Sequence, residues 1–279
     1  MDFDWKHAEI YDVVERALCE DIGAGDITTQ LTVTHVLLAV GKFYARDEMV
    51  LAVIELLPLI FECRGGVGKL RLMAASGDRC VNGQLISEVE GLAATLLECE
   101  RTALNFIQRL SGVATLASRF AAEVAHTDCK VLDTRKTTPG LRRLEKMAAA
   151  AGGVTNHRMG LFDAILIKNN HIAAAGGVRQ ALEASLPSGK PVEIEVRTLA
   201  ELDEALDAGA KKLLLDNLTP AEARDWIHYI AGRASCEISG GVTLSTVRAY
   251  AEAGADFVSS GAITHSAVSK DLNFRLSLL

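Results

Sequence analysis

The sequence predicts an α/β protein with an N-terminal α+β domain and a C-terminal, TIM-like α/β barrel of fewer than eight strands. Two patterns support this prediction: an internal repeat near the C-terminus, and apolar strands that alternate with helices at a regular spacing. Composition agrees, because glycine is abundant and only 5% of residues are aromatic, which is typical of α/β enzymes. An open, doubly wound sheet is the alternative arrangement.

The repeat comprises residues 198–217 and 243–262, which align without a gap at an offset of 45. Each copy begins with Thr-Leu, carries apolar residues at helical spacing, ends in Ala-Gly-Ala and enters a short apolar strand. Gly209 and Gly254 fall where a left-handed helix cap is expected. A further apolar strand precedes each copy, so this part of the chain is predicted to form strand–helix–strand twice.

Two more apolar strands are predicted upstream, at 131–136 and 164–168. Between them we expect a helix that opens at Thr138-Pro139, with proline at its first position, and that closes at Gly152-Gly153. Roughly six strands of this kind in about 150 residues indicate a closed or nearly closed barrel of parallel strands.

The first hundred residues have a different pattern. We expect a helix at 12–19, strands within 36–45, 69–75 and 84–91, and an apolar helix at 50–61. These segments predict a separate α+β domain. A long helical pattern at 93–125, with a possible break at Ser111-Gly112, leads into the barrel.

Charge and composition exclude several classes of protein. The net charge of −7 argues against a general nucleic-acid or anionic-membrane binder. The first ten residues show no signal-peptide pattern, and the apolar stretch at 49–61 is too short to span a bilayer. The six cysteines are scattered without a Cys-x-x-Cys pair, which is typical of reduced thiols. We therefore expect a cytoplasmic protein with neither nucleic-acid nor membrane partners.

Polar residues recur where the predicted strands end, which is the edge that carries the active site of an α/β barrel. A single such residue usually caps a helix or faces solvent, and Arg135 with Lys136 could be a solvated loop. Adjacent cations repel each other, however, so an anion between them is expected. The recurrence over all strands favours a site formed by Arg135, Lys136, Lys168, Glu195, Asp216, Ser239, Gly240, Gly241, Ser260 and Gly261, with His157 and Arg158 in an intervening loop.

The candidate site is sorted by charge along the chain. Early strands supply cations, middle strands supply Glu195 and Asp216, and the last two supply glycine and serine, where barrels commonly bind phosphate. In the repeat, Asp216 aligns with Gly261 and Glu195 with Gly240. Carboxylates beside a phosphate site predict Mg²⁺, and the additional cations predict a second anionic group. The sequence therefore predicts a polyanion site.

Several long stretches resemble the quinolinate phosphoribosyltransferase family (nicotinate-nucleotide pyrophosphorylase, carboxylating). They are DTRKTTPGLRRLEK, GGVTNHRMGLFDAILIKNNHI, EIEV, LLLDN, SGGV, SGAITHSA, ALCEDIGAGDITT and ECERTALNFIQRLSGVAT. Together they cover nearly the whole chain in order, so the resemblance is specific.

The resemblance implies an open-faced α/β sandwich at 1–111, joined by 269–279, and an incomplete TIM-like barrel at 112–268. It also implies transfer of the phosphoribosyl group of phosphoribosyl pyrophosphate (PRPP) to the ring nitrogen of quinolinate. Carbon dioxide is then lost, giving nicotinate mononucleotide and pyrophosphate. This reaction requires Mg²⁺ and is a step of de novo NAD synthesis.

The resemblance also assigns roles to residues. It implies that the dianion quinolinate is bound by Arg101, Arg135, His157, Arg158 and Lys168, and arginine suits carboxylates because its planar fork donates two hydrogen bonds. Lys136 matches a residue near the pyrophosphate, while Glu195 and Asp216 match the pair for the ribose hydroxyls and the metal. The 5′-phosphate loops match Ser239, Gly240, Gly241, Ser260, Gly261 and Ala262.

Arg101 lies at helical spacing on an apolar stripe, where an arginine can simply keep its head in water. In the family, the matching arginine reaches the active site of a neighbouring subunit, which implies an obligate homodimer. Further assembly into a hexamer stays open. Asn169 is a departure, because many members have aspartate there, and it leaves any metal or ribose role at this position in doubt. His171 is interpreted as structural.

Three alternatives stay open. Lys168 could be a Schiff-base lysine of an aldolase-like enzyme. The chain could be a related pyrophosphorylase-like protein linked to molybdenum transport, which shares DTRKTTPG but typically departs from the LIK-x-NH stretch kept here. A non-catalytic binding module is the third, and the full set of cations with both carboxylates argues against it.

Overall fold

The structure, a computed structural model, describes residues 3–279. The chain divides into two compact units. The first comprises Met1–Ser118, Thr138–Gly153 and Ser266–Leu279, and the second comprises Arg119–Thr137 and Val154–His265.

The α-helices are α1 Ala8–Ile22, α2 Ile27–Thr32, α3 Leu57–Glu62, α4 Ala93–Val124, α5 Arg142–Ala151, α6 Asn169–Ala175, α7 Val178–Ser185, α8 Leu199–Asp207, α9 Pro220–Ile230, α10 Val247–Glu252 and α11 Ala262–His265. The strands are β1 Leu38–Ala45, β2 Met49–Val50, β3 Lys69–Leu72, β4 Arg79–Cys80, β5 Leu85–Leu92, β6 Lys130–Leu132, β7 Ile165–Ile167, β8 Val192–Val196, β9 Lys212–Asp216, β10 Ser235–Ser239, β11 Phe257–Ser259 and β12 Leu272–Leu278.

The first unit contains a four-stranded antiparallel sheet in the order β12-β1-β5-β3. Strand β1 alternates exposed or half-buried residues with buried ones, the period of a sheet with one face in the core. The last strand pairs with β1 so that Phe274 lies opposite Phe43, and the two rings pack with centroids 4.8 Å apart. The predicted N-terminal α+β domain is confirmed, and its sheet is antiparallel.

The second unit contains a six-stranded parallel sheet in the order β6-β11-β10-β9-β8-β7. Strands β7 to β11 follow one another without a reversal, and β6 lies beside β11. A doubly wound sheet would reverse its strand order at a switch point, so this order supports the barrel. The predicted incomplete α/β barrel is confirmed.

Glycines end the helices of the repeat as expected. Gly209 and Gly254 follow α8 and α10 with φ of 92° and 100°, a conformation that costs a residue with a Cβ free energy. The second copy differs in one respect, because residues 243–246 form a turn and α10 begins only at Val247.

The apolar helix expected at 50–61 is shorter in the structure. Val53 adopts a left-handed φ of 54°, which interrupts any helix that includes it. A 3-10 turn at Ile54–Leu56 then leads into α3, with Pro58 in its first turn. Residues 49 and 50 belong to β2, which pairs with β4.

The predicted helix at Thr138-Pro139 also begins later, at Arg142. The Thr138 backbone N–H and hydroxyl both donate to the buried carboxylate of Glu145, at 2.9 and 2.8 Å. Gly140 then adopts a φ of 80°. Proline therefore lies in a turn before the helix, and Gly152 caps its C-terminus as expected.

Helix α4 is continuous, without the possible break at Ser111-Gly112. A Cβ on Gly112 would lie 2.2 Å from the Val268 carbonyl oxygen, so this glycine permits close packing and does not end the helix. The Ser111 hydroxyl accepts the Ala52 N–H at 3.0 Å. Within residues 3–279, no helix has both the length and the apolar composition needed to cross a membrane.

Candidate active site

Parallel pairing of the six strands brings their C-terminal ends to one edge of the sheet. Asp216 and Ser239 are the last residues of β9 and β10 and lie opposite each other in register. Lys168 follows β7, and Glu195 is the penultimate residue of β8. The strand-end residues of these four neighbouring strands therefore lie along one line.

Glu195 is the charged centre of this edge. Its carboxylate is buried, and Arg197 donates to Oε1 through Nε at 3.2 Å and through Nη2 at 2.9 Å. Lys168 Nζ lies 3.8 Å from Oε2. Both cations are about half exposed, at 48% and 52% of the side chain. A buried carboxylate thus holds two cations at the surface, where an anion can reach them.

Asp216 lies within electrostatic reach of the same residues. Burial and the nearby Glu195 carboxylate raise its pKa, while Arg197 and Lys168 oppose this rise. The neighbouring Asn217 amide donates to Oδ2 at 2.6 Å. The raised pKa shows that the ionised Asp216 would be stabilised by a further positive charge.

The glycine loop after β10 depends on Asn217. Gly240 has a φ of 90°, and a Cβ there would lie 2.2 Å from Asn217 Oδ1 and 2.8 Å from its backbone nitrogen. Gly241 has a φ of 62° with nothing within 4 Å of such an atom. This exposed stretch of backbone after Ser239 leaves room for a ligand, as the sequence predicts for a phosphate loop.

Lys136 and Gly261 are brought together by the end of β11. A Cβ on Gly261 would lie 2.7 Å from Lys136 Cδ, and the Thr264 hydroxyl donates to the Lys136 carbonyl at 2.8 Å. Ser260 is buried, and its hydroxyl donates to the Val242 carbonyl at 2.7 Å.

The Ser260 N–H donates to the Leu132 carbonyl at 3.1 Å. Both donors of Ser260 therefore stabilise the barrel itself. The half-buried Ala262, by contrast, is the first residue of α11.

Arg135 and Arg158 lie close enough for their charges to interact. Burial and the Arg135 charge lower the pKa of Arg158. The strand predicted at 131–136 ends at Leu132, and the buried Asp133 accepts the His157 N–H at 2.8 Å and the Asn156 amide at 2.7 Å. Asp133 thus joins the segment carrying Arg135 to the loop carrying Arg158, and the mutual repulsion of the two guanidinium charges favours an anion near them.

His157 lies in a buried polar cluster inside the barrel. Its Nε2 is 3.4 Å from Glu193 Oε2 and 3.5 Å from Glu237 Oε1. Lys212 Nζ is 2.8 Å from Glu237 and 3.3 Å from Glu193. A cavity of about 430 Å³ opens beside this cluster, and Arg158 is among its lining residues.

The protonation of His157 is subject to opposing influences. Burial lowers its pKa, but the hydrogen bonds and charges of Glu193 and Glu237 raise it more, to about 9. The Arg158 N–H, however, donates to His157 Nδ1 at 2.7 Å, which requires a lone pair on Nδ1. A hydrogen on Nδ1 would point at the Arg158 N–H, so this short hydrogen bond leaves Nδ1 without a hydrogen. The ring then carries its hydrogen on Nε2, toward the carboxylates.

Three side chains of the same cluster are spaced closely enough to hold a metal ion. The candidate ligand atoms of His157, Glu193 and Glu237 lie within 4.8 Å of one another. Lys212 offsets the charge of one of the two carboxylates, and burial raises the pKa of Glu193, which favours its neutral form.

Two predicted residues have other surroundings. Arg101 is exposed on α4, within the first compact unit. His171 is structural, as interpreted: its Nδ1 accepts the Lys168 N–H at 2.9 Å, and it caps the start of α6.

Sequence reasoning missed Arg197, Asn217 and the buried cluster of Glu193, Lys212 and Glu237. A signal for Glu193 was present, because residues 193 and 195 share a face of a strand with period two. Charged residues inside a barrel are rare without partners, and no single-strand pattern shows which partner will meet them.

A parallel α/β barrel whose strand ends carry cations, buried carboxylates and a glycine loop is the architecture of an enzyme that binds anionic substrates. Two family models match the chain: the quinolinate phosphoribosyl transferase N-terminal domain over residues 26–111 and its C-terminal domain over residues 113–275. The chain belongs to the quinolinate phosphoribosyltransferase family.

Individual relatives agree. A quinolinate phosphoribosyltransferase (decarboxylating) of Nicotiana glauca is 38% identical over 288 residues, 95% of this chain and 81% of the relative. A probable nicotinate-nucleotide pyrophosphorylase (carboxylating) of Bacillus subtilis is 37% identical over 98% of this chain and 95% of its own. The crystal structure of NadC from Streptococcus pyogenes superposes with a TM-score of 0.93 at 38% identity, covering 100% of this chain and 99% of that one.

Proposed function

We propose that this protein transfers the phosphoribosyl group of PRPP to quinolinate and releases carbon dioxide, giving nicotinate mononucleotide and pyrophosphate for NAD synthesis. Family membership supports this activity. The single structural observation that carries it is the cluster of Lys168, Glu195, Arg197 and Asp216 at the ends of neighbouring parallel strands. Its cations can bind anionic substrates, and its carboxylates can bind the ribose hydroxyls and a metal ion.

Quinolinate carries two carboxylates, and the proposed binders are Arg101, Arg135, His157, Arg158 and Lys168. The electrostatic repulsion between Arg135 and Arg158 supports this assignment, because a carboxylate near both would relieve it. Asn169 begins α6 and contributes no carboxylate to this edge. This chain therefore has no acidic side chain at that position to bind a metal ion or the ribose.

PRPP carries a 5′-phosphate, ribose hydroxyls and a pyrophosphate. We assign the ribose to Glu195 and Asp216, the pyrophosphate to Lys136, and the 5′-phosphate to the loops at 239–241 and 260–262. The open backbone at Gly241 and the contact between Lys136 and Gly261 support these assignments. Since both Ser260 donors are used within the barrel, neighbouring backbone groups rather than its side chain would bind the phosphate.

In the proposed reaction, the quinolinate ring nitrogen forms a bond to the anomeric carbon as the bond to pyrophosphate breaks. Pyrophosphate leaves with the bonding electrons, and Lys136 would stabilise its charge. The carboxylates would stabilise the positive charge on the ribose. Carbon dioxide then leaves the adjacent ring carbon, the bonding electron pair stays on that carbon beside the cationic nitrogen, and a proton from solvent takes the place of the lost carboxylate.

Mg²⁺ fits part of this site. Asp216 has a raised pKa and would gain from a cation, whereas Glu195 already receives two hydrogen bonds from Arg197. We therefore propose that Asp216 holds the ion together with PRPP and water, and that Glu195 contributes only if Arg197 moves. When bound, the ion would neutralise pyrophosphate charge as that group departs.

We also propose a homodimer in which Arg101 enters the site of the partner subunit, with a hexamer as a further possible assembly. The exposure of Arg101 on a helix of the first unit supports it. A cytoplasmic setting is proposed as well, since all six cysteines are free thiols and four of them are buried.

The aldolase alternative is less well supported. A Schiff-base lysine is activated by desolvation in an apolar pocket, whereas the Lys168 side chain is 52% exposed and paired with Glu195. Borohydride treatment with a keto substrate would leave Lys168 unmodified under our proposal.

A turnover assay tests the function directly. Quinolinate labelled in the carboxyl group next to the ring nitrogen is mixed with PRPP, Mg²⁺ and the protein, and labelled carbon dioxide and pyrophosphate are measured. We expect the two products in equal amounts, with no release when PRPP is omitted. Equal use of nicotinate, with pyrophosphate but no carbon dioxide, would show that the substrate assignment is wrong.

A further inference from the structure

Both ring nitrogens of His157 contact protein groups rather than open space. Nε2 faces the carboxylates of Glu193 and Glu237, and Nδ1 accepts the Arg158 N–H at 2.7 Å. Only 13% of the side chain is exposed. A histidine held at both nitrogens has no ring atom left to bind a substrate carboxylate directly.

The two glutamates are themselves held in place. Each is at least nine-tenths buried, and Lys212 bridges them, donating a hydrogen bond of 2.8 Å to Glu237. The Lys212 ammonium also lies 4.7 Å from the ring centroid of Phe257. Buried charges paired in this way define one arrangement of the groups around them, so the imidazole is fixed from inside the barrel.

Arg158 is fixed at two points by its surroundings. Its backbone N–H is held by His157, and its Nη1 donates to the Ala164 carbonyl at 3.0 Å. The remaining N–H groups of the guanidinium are left to form a fork for a carboxylate. The direction of that fork depends on where the backbone of residue 158 is held.

We propose that His157 is a positioning residue, which holds the Arg158 backbone and thereby aims its guanidinium, and that Glu193, Glu237 and Lys212 hold the imidazole. This inference rests on the proposed function, since it concerns the binding of quinolinate, and it replaces direct substrate binding by His157. The observation that supports it is that both ring nitrogens of His157 contact protein groups.

Two isosteric variants separate positioning from direct binding. In His157→Asn the amide oxygen takes the place of Nδ1 and can accept the Arg158 N–H, whereas His157→Gln offers polar atoms only near the place of Nε2. We expect the quinolinate KM to rise about tenfold in His157→Gln and about threefold or less in His157→Asn, as loss of one hydrogen bond predicts. The PRPP KM should change little in either. Equal impairment of the two variants would overturn the proposal.

A double-mutant cycle adds an independent test. If His157 acts only through Arg158, then in an Arg158→Ala background His157→Gln should cause no further loss of quinolinate affinity. A direct binder would instead show independent effects that multiply. Lys212→Met should raise the quinolinate KM, Lys212→Arg should largely restore it, and the exposed neighbour Lys211→Met serves as the matched control.

Hydrogen exchange distinguishes failure of this inference from failure of the proposed function. The Arg158 amide should be protected in the wild type and in His157→Asn, and should exchange at least about tenfold faster in His157→Gln. This measurement needs no substrate. If quinolinate is not turned over but the exchange pattern is found, the proposed function is wrong and the contact is real. Unprotected Arg158 in the wild type would end the inference.

Discussion

At the scale of single residues, the site depends on how charges are divided between exposed and buried positions. Glu195 is buried and holds Lys168 and Arg197 at the surface by ion pairs. Such exposed cations contribute little to stability, and in our proposal they bind substrate. A substitution of one of them should therefore change binding far more than folding.

Lys168→Met tests this expectation. It removes a cation that we assign to quinolinate, and we expect kcat/KM for quinolinate to fall about a hundredfold, as loss of a charge-assisted contact predicts. The KM for PRPP should change much less, and the thermal midpoint should stay within about 2 °C of the wild type. Lys190→Met, at an exposed loop position, is the control. Wild-type kinetics of Lys168→Met would show that the role is misassigned.

Residue-level prediction located the polar residues at the strand ends but missed the charged residues inside the barrel. Lys168, Glu195 and Asp216 were found because polar residues break an apolar run at a known position of the barrel. Arg197 was missed since it lies beyond the strand, in an otherwise ordinary helix start. Arg197 matters because it donates a hydrogen bond to Glu195, two residues earlier, and only the structure shows that contact.

At the scale of elements, loops explain most of the differences between sequence and structure. Strand β6 ends at Leu132 because Asp133 turns to bind Asn156 and the His157 N–H. Helix α5 starts late because the Glu145 carboxylate accepts a hydrogen bond from the Thr138 N–H. Both causes are side-chain contacts beyond the reach of propensity and periodicity, which describe only regular spacing along the chain.

The loop after β10 offers an element-scale prediction. Gly240→Ala places a Cβ 2.8 Å from the Asn217 backbone nitrogen at a φ of 90°, so the loop must move. We expect a loss of about 2 to 4 kcal/mol in the free energy of unfolding and weaker PRPP binding.

The matched control is Gly241→Ala, which meets nothing within 4 Å at a φ of 62°. It should cost only about 1 kcal/mol, from the left-handed backbone alone. Urea unfolding and PRPP titration of both variants make the comparison. Equal costs in the two variants would contradict the account of Asn217.

At the scale of the whole molecule, buried charge links stability to pH. Burial raises the pKa of Glu237, but the hydrogen bond from His157 and the charge of Lys212 lower it more, to below its ordinary value of 4.5. The folded pKa is therefore below the unfolded one. The unfolded state binds more protons between these two values, so this stabilisation is present above the unfolded pKa and is lost as the pH falls through the folded pKa.

Glu237→Gln should remove this dependence. Near neutral pH we expect the variant to be less stable by about 3 kcal/mol, since Lys212 and His157 lose a buried partner. The difference from the wild type should shrink as acid protonates Glu237. Burial and the Glu237 charge both raise the pKa of Glu193, so the variant also loses part of this effect, which has the opposite sign. Denaturation midpoints measured from neutral to acid pH provide the test, and parallel curves would contradict it.

The proposed subunit exchange of Arg101 can be tested by complementation between two inactive variants. Arg101→Ala lacks the donated cation, and Lys168→Met lacks a cation of the receiving barrel. If sites are shared, a mixed dimer has one site with both defects and one with neither, because the intact Arg101 of one chain meets the intact Lys168 of the other. Random pairing makes half of the dimers mixed, so about a quarter of wild-type activity should appear after subunit exchange.

The alternative gives a different result. If Arg101 serves the site of its own chain, every site keeps one defect in any mixture, and no activity returns. The variants are mixed, exchanged in mild denaturant, refolded and assayed, with each variant treated alone and a mixture of Arg101→Ala with Arg101→Lys as controls. Failure of the pair to regain activity, while mixed dimers are detected by mass, would exclude a site shared between subunits.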